Sequence, residues 1–156
     1  MGTRFIAALL IGGLFAAASA KTTIGPQTFV AQLYQRATRD PHFSYASPRI
    51  LTADLFDLVQ RDANSGKKIG AMAYDPICQC RDNDGLSAQI ISITVSGDRA
   101  IAQVMLRFDA MPSPPPQRVT LLLTRTPLVG WKVADIRTSR IPSLRALLTR
   151  RASARG

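Results

Sequence analysis

The hydrophobic period of this chain changes once, at Leu86, and that change constrains the fold more than any other feature. Upstream, Phe29, Val30, Leu33, Tyr34 and Ala37 recur at three- and four-residue spacing, as do Leu51, Leu55, Leu58 and Val59. Each set draws one apolar stripe on a helix. Downstream the period is two. Gln89, Ile91, Ile93 and Val95 alternate with Ile90, Ser92 and Thr94, and after Gly97-Asp98 the set Ala100, Ala102, Val104, Leu106 and Phe108 alternates with Ile101, Gln103, Met105 and Arg107. Two alternating runs around a Gly-Asp turn predict an antiparallel hairpin.

Local signals bound these elements. Gly25-Pro26 opens the first helix, because Pro at the first helical position wastes no hydrogen-bond donor, and Asp40-Pro41 closes it. Ser47-Pro48 or Thr52 caps the second, with Leu51 and Phe56 spaced as a hydrophobic staple, and Asn64-Ser65-Gly66 ends it. A long irregular connection follows, with turn signals at Asp75-Pro76 and Asp82-Asn83-Asp84-Gly85. The proline run after Met111 is a loop, since it cannot supply the amide donors of a strand. Val119, Leu121 and Leu123 begin a third strand, Thr126 to Gly130 turns, and Trp131 to Arg137 returns as a fourth. Ser143 caps a last short helix with Leu144, Leu147 and Leu148 on its apolar side. The fold class expected is α+β, with two N-terminal helices, a four-stranded antiparallel curved meander and a short C-terminal helix.

The first twenty residues read as a leader. Arg4 precedes an apolar run over residues 5–18, and Ala18-Ser19-Ala20 offers the small residues a signal peptidase accepts, so cleavage between Ala20 and Lys21 is expected. The run falls short of the roughly 18–20 residues that span a bilayer, and no cysteine follows it to take a lipid. The expected organisation is a signal peptide over 1–20, one α+β domain over 21–149 and a basic, disordered tail over 150–156. The protein is then periplasmic or secreted.

Charge narrows the partners less than its size suggests. Lys and Arg number 20 against 10 acids, giving +10, but every acid is Asp and Arg far outnumbers Lys. Such a skew, with abundant Ala, follows GC-rich codon usage as readily as selection for an anionic partner. Nucleic acid is excluded as a partner by the export signal and by the lack of interleaved basic and aromatic residues. The C-terminal run of Arg137, Arg140, Arg145, Arg150, Arg151 and Arg155 has no acid within it, so weak attraction to an anionic membrane surface is an expectation beside that of a solvated tail.

Gly130-Trp131-Lys132-Val133-Ala134-Asp135-Ile136, then Ser143-Leu144-Arg145-Ala146-Leu147-Leu148, and upstream Asp75-Pro76-Ile77-Cys78-Gln79-Cys80-Arg81-Asp82, resemble a family of small exported bacterial proteins and lipoproteins built on a domain of unknown function. The resemblance covers roughly residues 28–149. It implies a nuclear-transport-factor-2-like or cystatin-like cone, in which a curved sheet wraps around helices. Distant members are immunity proteins that bind a peptidoglycan amidase in the periplasm. No catalytic residue carries over.

Chemistry-bearing residues are few. Cys78 and Cys80, the two thiols, sit at the outer edge of disulfide reach in extended chain, and an oxidising compartment favours their pairing. No device to lower a thiol pKa stands beside them, which weighs against redox turnover. Two thiols and the single His42 do not complete a zinc site. Asp82-Asn83-Asp84 lacks the acid that would close a calcium loop. Tyr34, Tyr45, Tyr74 and Asp135 are the candidates for lining a pocket, although Tyr34 on the apolar stripe, like Trp131, is more simply core and Asp135 is more simply paired with Arg137 or Arg107. No Ser-His-Asp set, phosphate loop, metal cluster or cofactor motif occurs. The reading is a protein that binds an envelope protein or a small ligand. Its rivals are a cone-cavity enzyme using Asp135 with tyrosines, and a thiol-redox protein using Cys78 and Cys80.

Overall fold

A computed structural model describes residues 24–40, 42–65, 75–80, 85–109 and 115–154. Helix α1 (Pro26–Arg39) begins with proline after an extended Gly25 and buries Val30, Leu33, Tyr34 and Ala37. Helix α2 (Ala53–Ala63) follows an extended Thr52 whose side chain makes no capping bond, and it buries Leu55, Val59 and Asp62. The strands β1 (Leu86–Ser96), β2 (Arg99–Phe108), β3 (Gln117–Thr126) and β4 (Gly130–Thr138) and the helix α3 (Leu144–Ser153) complete the order. The α+β order expected from the two periodicities is the one observed.

The sheet is an antiparallel meander in the order β1-β2-β3-β4. A two-residue turn joins β1 to β2, with Gly97 at φ +57 in its first position, a geometry open to glycine at no steric cost. Inward residues line up across the strands: Ile93 opposite Ala102, Ala102 opposite Leu121, Leu121 opposite Ile136. Ala102, Val104, Leu106, Val119, Leu121 and Ile136 are fully buried, in one cluster with Val30, Leu55, Ile77, Leu144 and Leu148. All three helices therefore belong to one core on one face of the sheet.

Two bulges alter the alternation read from the sequence. On β1 the register shifts between Ile90 and Ser92. The unpaired Ile91 drops out of step, Ile90 and Ile93 both face inward opposite Val104 and Ala102, and Ile91 is exposed. On β4 the shift skips Ala134, since Leu122 faces Asp135 while Leu123 faces Val133.

The two sheet edges differ. The outer edge of β4 is covered by residues 50–52, with Thr52 N–H donating to the Val133 carbonyl at 3.0 Å and Val133 N–H to that of Ile50 at 2.8 Å. Lys132 fixes this strap, its Nζ donating to the carbonyls of Pro48 and Arg49 at 2.7 Å each. Burial holds the Lys132 ammonium below its usual range. The outer edge of β1 has no such cover among the described residues.

Helix α3 continues to Ser153, so Arg150 and Arg151 are helical rather than part of a tail. The reason is long-range: Arg151 Nε lies 3.2 Å from the Asp62 carboxylate of α2, which is 8% exposed. No helix among the described residues is long and apolar enough to cross a membrane.

Candidate functional site

Asp135, the acid proposed for a cavity, holds helix α3 in place. Its Oδ1 accepts the N–H groups of Ile136 and Arg145 at 2.9 Å each, and its Oδ2 accepts the Ser143 hydroxyl at 2.7 Å. Ser143 Oγ in turn accepts Ala146 N–H at 3.0 Å as the N-cap of α3. The ion pair expected with Arg137 is marginal, at 4.0 Å, and Arg107 has no part in it. Arg145 extends the anchor: Nε and Nη2 donate to the Ala134 carbonyl at 3.1 and 2.7 Å, and Nη1 pairs with Asp54. That guanidinium holds the Asp54 carboxyl well below the usual carboxylate range. A carboxylate with its oxygens already committed to backbone and cap is a structural acceptor.

The tyrosines converge elsewhere. Tyr34 is buried and donates its hydroxyl to the Ile77 carbonyl at 3.1 Å, and burial pushes its phenol up. Tyr45 is pushed up to about 12, first by burial and then by the charges of Asp75 and Asp62. Tyr74 lies outside the described residues, as do Asp82 and Asp84. Asp75, which the sequence marks only as a turn, is the acid these tyrosines meet. It closes the loop of residues 75–80, with its N–H donating to the Cys80 carbonyl at 2.9 Å and its Oδ1 accepting Ile77 N–H at 2.7 Å. The loop drives the fully buried Ile77 into the core. Cys78 and Cys80 sit in it with Cα atoms 5.2 Å apart, inside the range a disulfide spans. His42 is exposed, its N–H donating to Asp40 Oδ1. No group of three metal-ligating side chains occurs among the described residues.

Burial raises the Asp75 carboxyl to about 6, against weaker opposing hydrogen bonds from backbone amides of Ile77, Cys78 and Tyr45. A folded-state pKa above the unfolded one of about 3.9 means the native state holds the proton more tightly. The stabilisation is then full below about pH 4 and is lost as pH rises through about 6. Asp75→Asn keeps an acceptor for Ile77 and has no charge to bury. It should stabilise the protein at pH 7 by up to roughly 3 kcal/mol, the free energy separating a carboxyl pKa of about 6 from one of about 3.9, with no gain at pH 4. Urea unfolding at both pH values checks this, and parallel pH profiles for the two proteins would refute it.

Grooves cross the surface of the described residues, and the three with the clearest walls have none of Asp75, Tyr45 or Asp135 in them. The first, of 190 Å³, lies between α1 and the β3–β4 turn, with Phe29, Leu33, Ile50 and Trp131 as apolar walls and Arg36 and Arg49 beside them. That is smaller than the roughly 300–1,000 Å³ of most small-molecule sites. The second, of 600 Å³, runs between α1 and the uncovered edge of β1. The third, of 450 Å³, follows α1 from Gln32 to Asp40.

The solvent-facing side of the sheet has the most organised surface. Cross-strand register puts Ile101 beside Leu122 and Met105 beside Arg118. Ile101 is 47% exposed, and Met105 and Leu122 are half-buried. Around this apolar centre stand the exposed Arg99, Arg107, Arg118 and Arg137, with Thr94, Thr120 and Thr124 between them. The one acid on this face of the described strands is Asp135, already bonded to α3. Alternation in the sequence predicts which residues face outward, but only the register gathers four arginines from three strands into one rim.

The sequence matches no protein-family model and no curated protein. Among solved structures, the chain is similar to a chain of the type VI effector–immunity complex Tae3–Tai3 from Ralstonia pickettii, with 19% identity, a TM-score of 0.49 and coverage of 74% of this chain and 97% of that one. It is also similar to a phospholipid-binding protein from Ralstonia solanacearum, solved with a phospholipid, with 15% identity, a TM-score of 0.39 and coverage of 80% and 71%.

Proposed function

We propose that this is an exported, single-domain protein that works by binding, and that it docks an acidic protein of the cell envelope on the solvent-facing side of its sheet. The observation that carries this reading is the arrangement of that face, an apolar centre of exposed Ile101 and half-buried Met105 and Leu122 rimmed by Arg99, Arg107, Arg118 and Arg137. Interfaces enrich arginine and large apolar residues and exclude water from their centre with a polar rim. Four guanidiniums of one sign steer and select an acidic surface. An envelope protein is also the partner that the family resemblance implies for its distant immunity members. In this account the domain is the segment 21–149 that follows the leader, and Cys78 and Cys80 are bonded in the oxidising compartment, where they stiffen the loop that seats Ile77.

The test uses the full chain expressed with its leader. The recovered protein is expected in the envelope fraction with its N-terminus at Lys21 by intact mass; full-length chain in the cytosol would overturn export. As bait in envelope extracts, it should retain an acidic protein that cross-links to β2 and β3. The fourfold variant Arg99→Glu, Arg107→Glu, Arg118→Glu, Arg137→Glu should lower that recovery by about tenfold or more, as expected for several reversed contact charges, without shifting the melting temperature much. Undiminished recovery by the variant would remove the sheet face from the reading.

A further inference from the structure

The uncovered edge of β1 goes beyond this reading, because it lies apart from the arginine-rimmed face and offers backbone rather than side chains. Edge strands in soluble proteins are normally blunted by charge, proline, shortness or a covering segment. The β4 edge follows that rule through the strap of residues 50–52. Strand β1 does not. It is 11 residues long, and its sequence LSAQIISITVS contains no charged residue and no proline. In an antiparallel pair every second residue turns its N–H and C=O away from the partner, and among the described residues no other segment pairs with those groups on this edge. Its single bulge lies at Ile91, which leaves residues 86–90 regular in register with β2.

Alongside that stretch runs the 600 Å³ groove, with residues 86–90 as one wall and Ala31, Gln35, Thr38 and Arg39 of α1 as the other. A strand paired to residues 86–90 at the usual spacing of about 4.8 Å would lie alongside this groove. Arg39 and its neighbour Arg36 stand in the last turn of α1, and neither is in an ion pair among the described residues. Arg107, on β2 opposite Ser87, faces the other side of the sheet and takes no part in this groove. The cations around the groove thus favour one kind of strand over others. From this geometry we infer that the β1 edge accepts an extended acidic peptide segment as a fifth strand, with its backbone paired to residues 86–90 and a carboxylate directed at Arg39. Backbone pairing supplies affinity in such strand addition, and the flanking side chains supply selectivity.

The experiment uses the protein after leader removal and three blocked ten-residue peptides: alternating Glu and Val, alternating Lys and Val, and the Glu peptide with Pro replacing every Val. The first should shift the backbone amide resonances of residues 86–90 and of α1 from Ala31 to Arg39, and slow hydrogen exchange at the β1 amides. Arg39→Glu should weaken it about fivefold, as for an exposed charge contact reversed. The Lys and Pro peptides should not bind there. Equal binding of the Pro peptide would mean charge attraction without strand pairing, and would overturn the inference. So would β1 amides that are already protected in the free protein together with a doubled mass, because the occupant would then be a second copy. The fourfold arginine variant separates the two proposals: it should leave Glu-peptide binding at β1 largely in place, whereas Arg39→Glu should leave recovery of the envelope partner unchanged.

Discussion

Leu106→Asp is expected to leave no folded protein at room temperature, while Arg107→Asp, one residue later, folds with a melting temperature close to the parent. Leu106 is 0% exposed. It lies opposite Ala88 on one side and Gln117 on the other, on the sheet face that packs against the helices. Removing a buried leucine costs about 2–5 kcal/mol, and an unpaired carboxylate in its place adds a desolvation penalty of several more. Together these approach the whole stability of a domain this size, about 5–15 kcal/mol. Arg107 points the other way, into solvent, where substitutions usually stay within about 0.5 kcal/mol. Circular dichroism melts and soluble yield measure the contrast. Equal tolerance at the two positions would mean that β2 is shifted by one residue, since a one-residue slip exchanges the faces.

That contrast was legible in the sequence because alternation alone decides it. The helix start at Pro26, the Gly97-Asp98 turn and the cap at Ser143 were legible for a similar reason: each depends on a few adjacent residues. The second helix start stayed open between Ser47-Pro48 and Thr52 until the fold placed it after Thr52. What escaped depends on chain segments far apart. Nothing local to Ile90, Ile91 or Ser92 marks the bulge that moves Ile91 to the surface. The strap over β4 depends on Lys132 reaching carbonyls more than eighty positions earlier. Helix α3 reaches Ser153 with Arg151 beside Asp62 on α2, so a run of arginines that looks solvated in sequence is partly committed in the fold.

The candidate site shows the same division. Residue type singled out Asp135 and the tyrosines, but type cannot say which acid meets which phenol. Tyr34 and Tyr45 turn out to share the surroundings of Asp75, while Asp135 serves the helix that follows it by eight positions. The arginine rim was hidden among sixteen arginines of a biased composition. Only cross-strand register distinguishes the four on one sheet face from those committed elsewhere, such as Arg145 and Arg151. Composition therefore argued for little, and placement argues for a great deal more.

Asp135→Ala is expected to cost about 3–4 kcal/mol and to loosen α3 before the rest of the molecule. The carboxylate accepts three hydrogen bonds, from Ile136 N–H, Arg145 N–H and the Ser143 hydroxyl, at 2.7–2.9 Å, and bonds to a charged group contribute about 1.5–3 kcal/mol each, less than additively. Removing it also leaves the buried Ile136 amide and the half-buried Arg145 amide without their acceptor. Two comparisons separate this role from a simple ion pair. Ser143→Ala should cost about 1 kcal/mol, the usual value of an N-cap, and should couple to Asp135→Ala in a double-mutant cycle, because the two side chains touch. Arg137→Ala should cost little, since its Nε stands 4.0 Å away on a side chain that is half exposed. Urea unfolding gives the energies, and hydrogen exchange gives the order of opening: amides after Leu144 should lose protection first in Asp135→Ala while those of β2 and β3 keep it. If Arg137→Ala proves as costly as Asp135→Ala, the carboxylate acts through the surface guanidinium and the anchoring role assigned to it here fails.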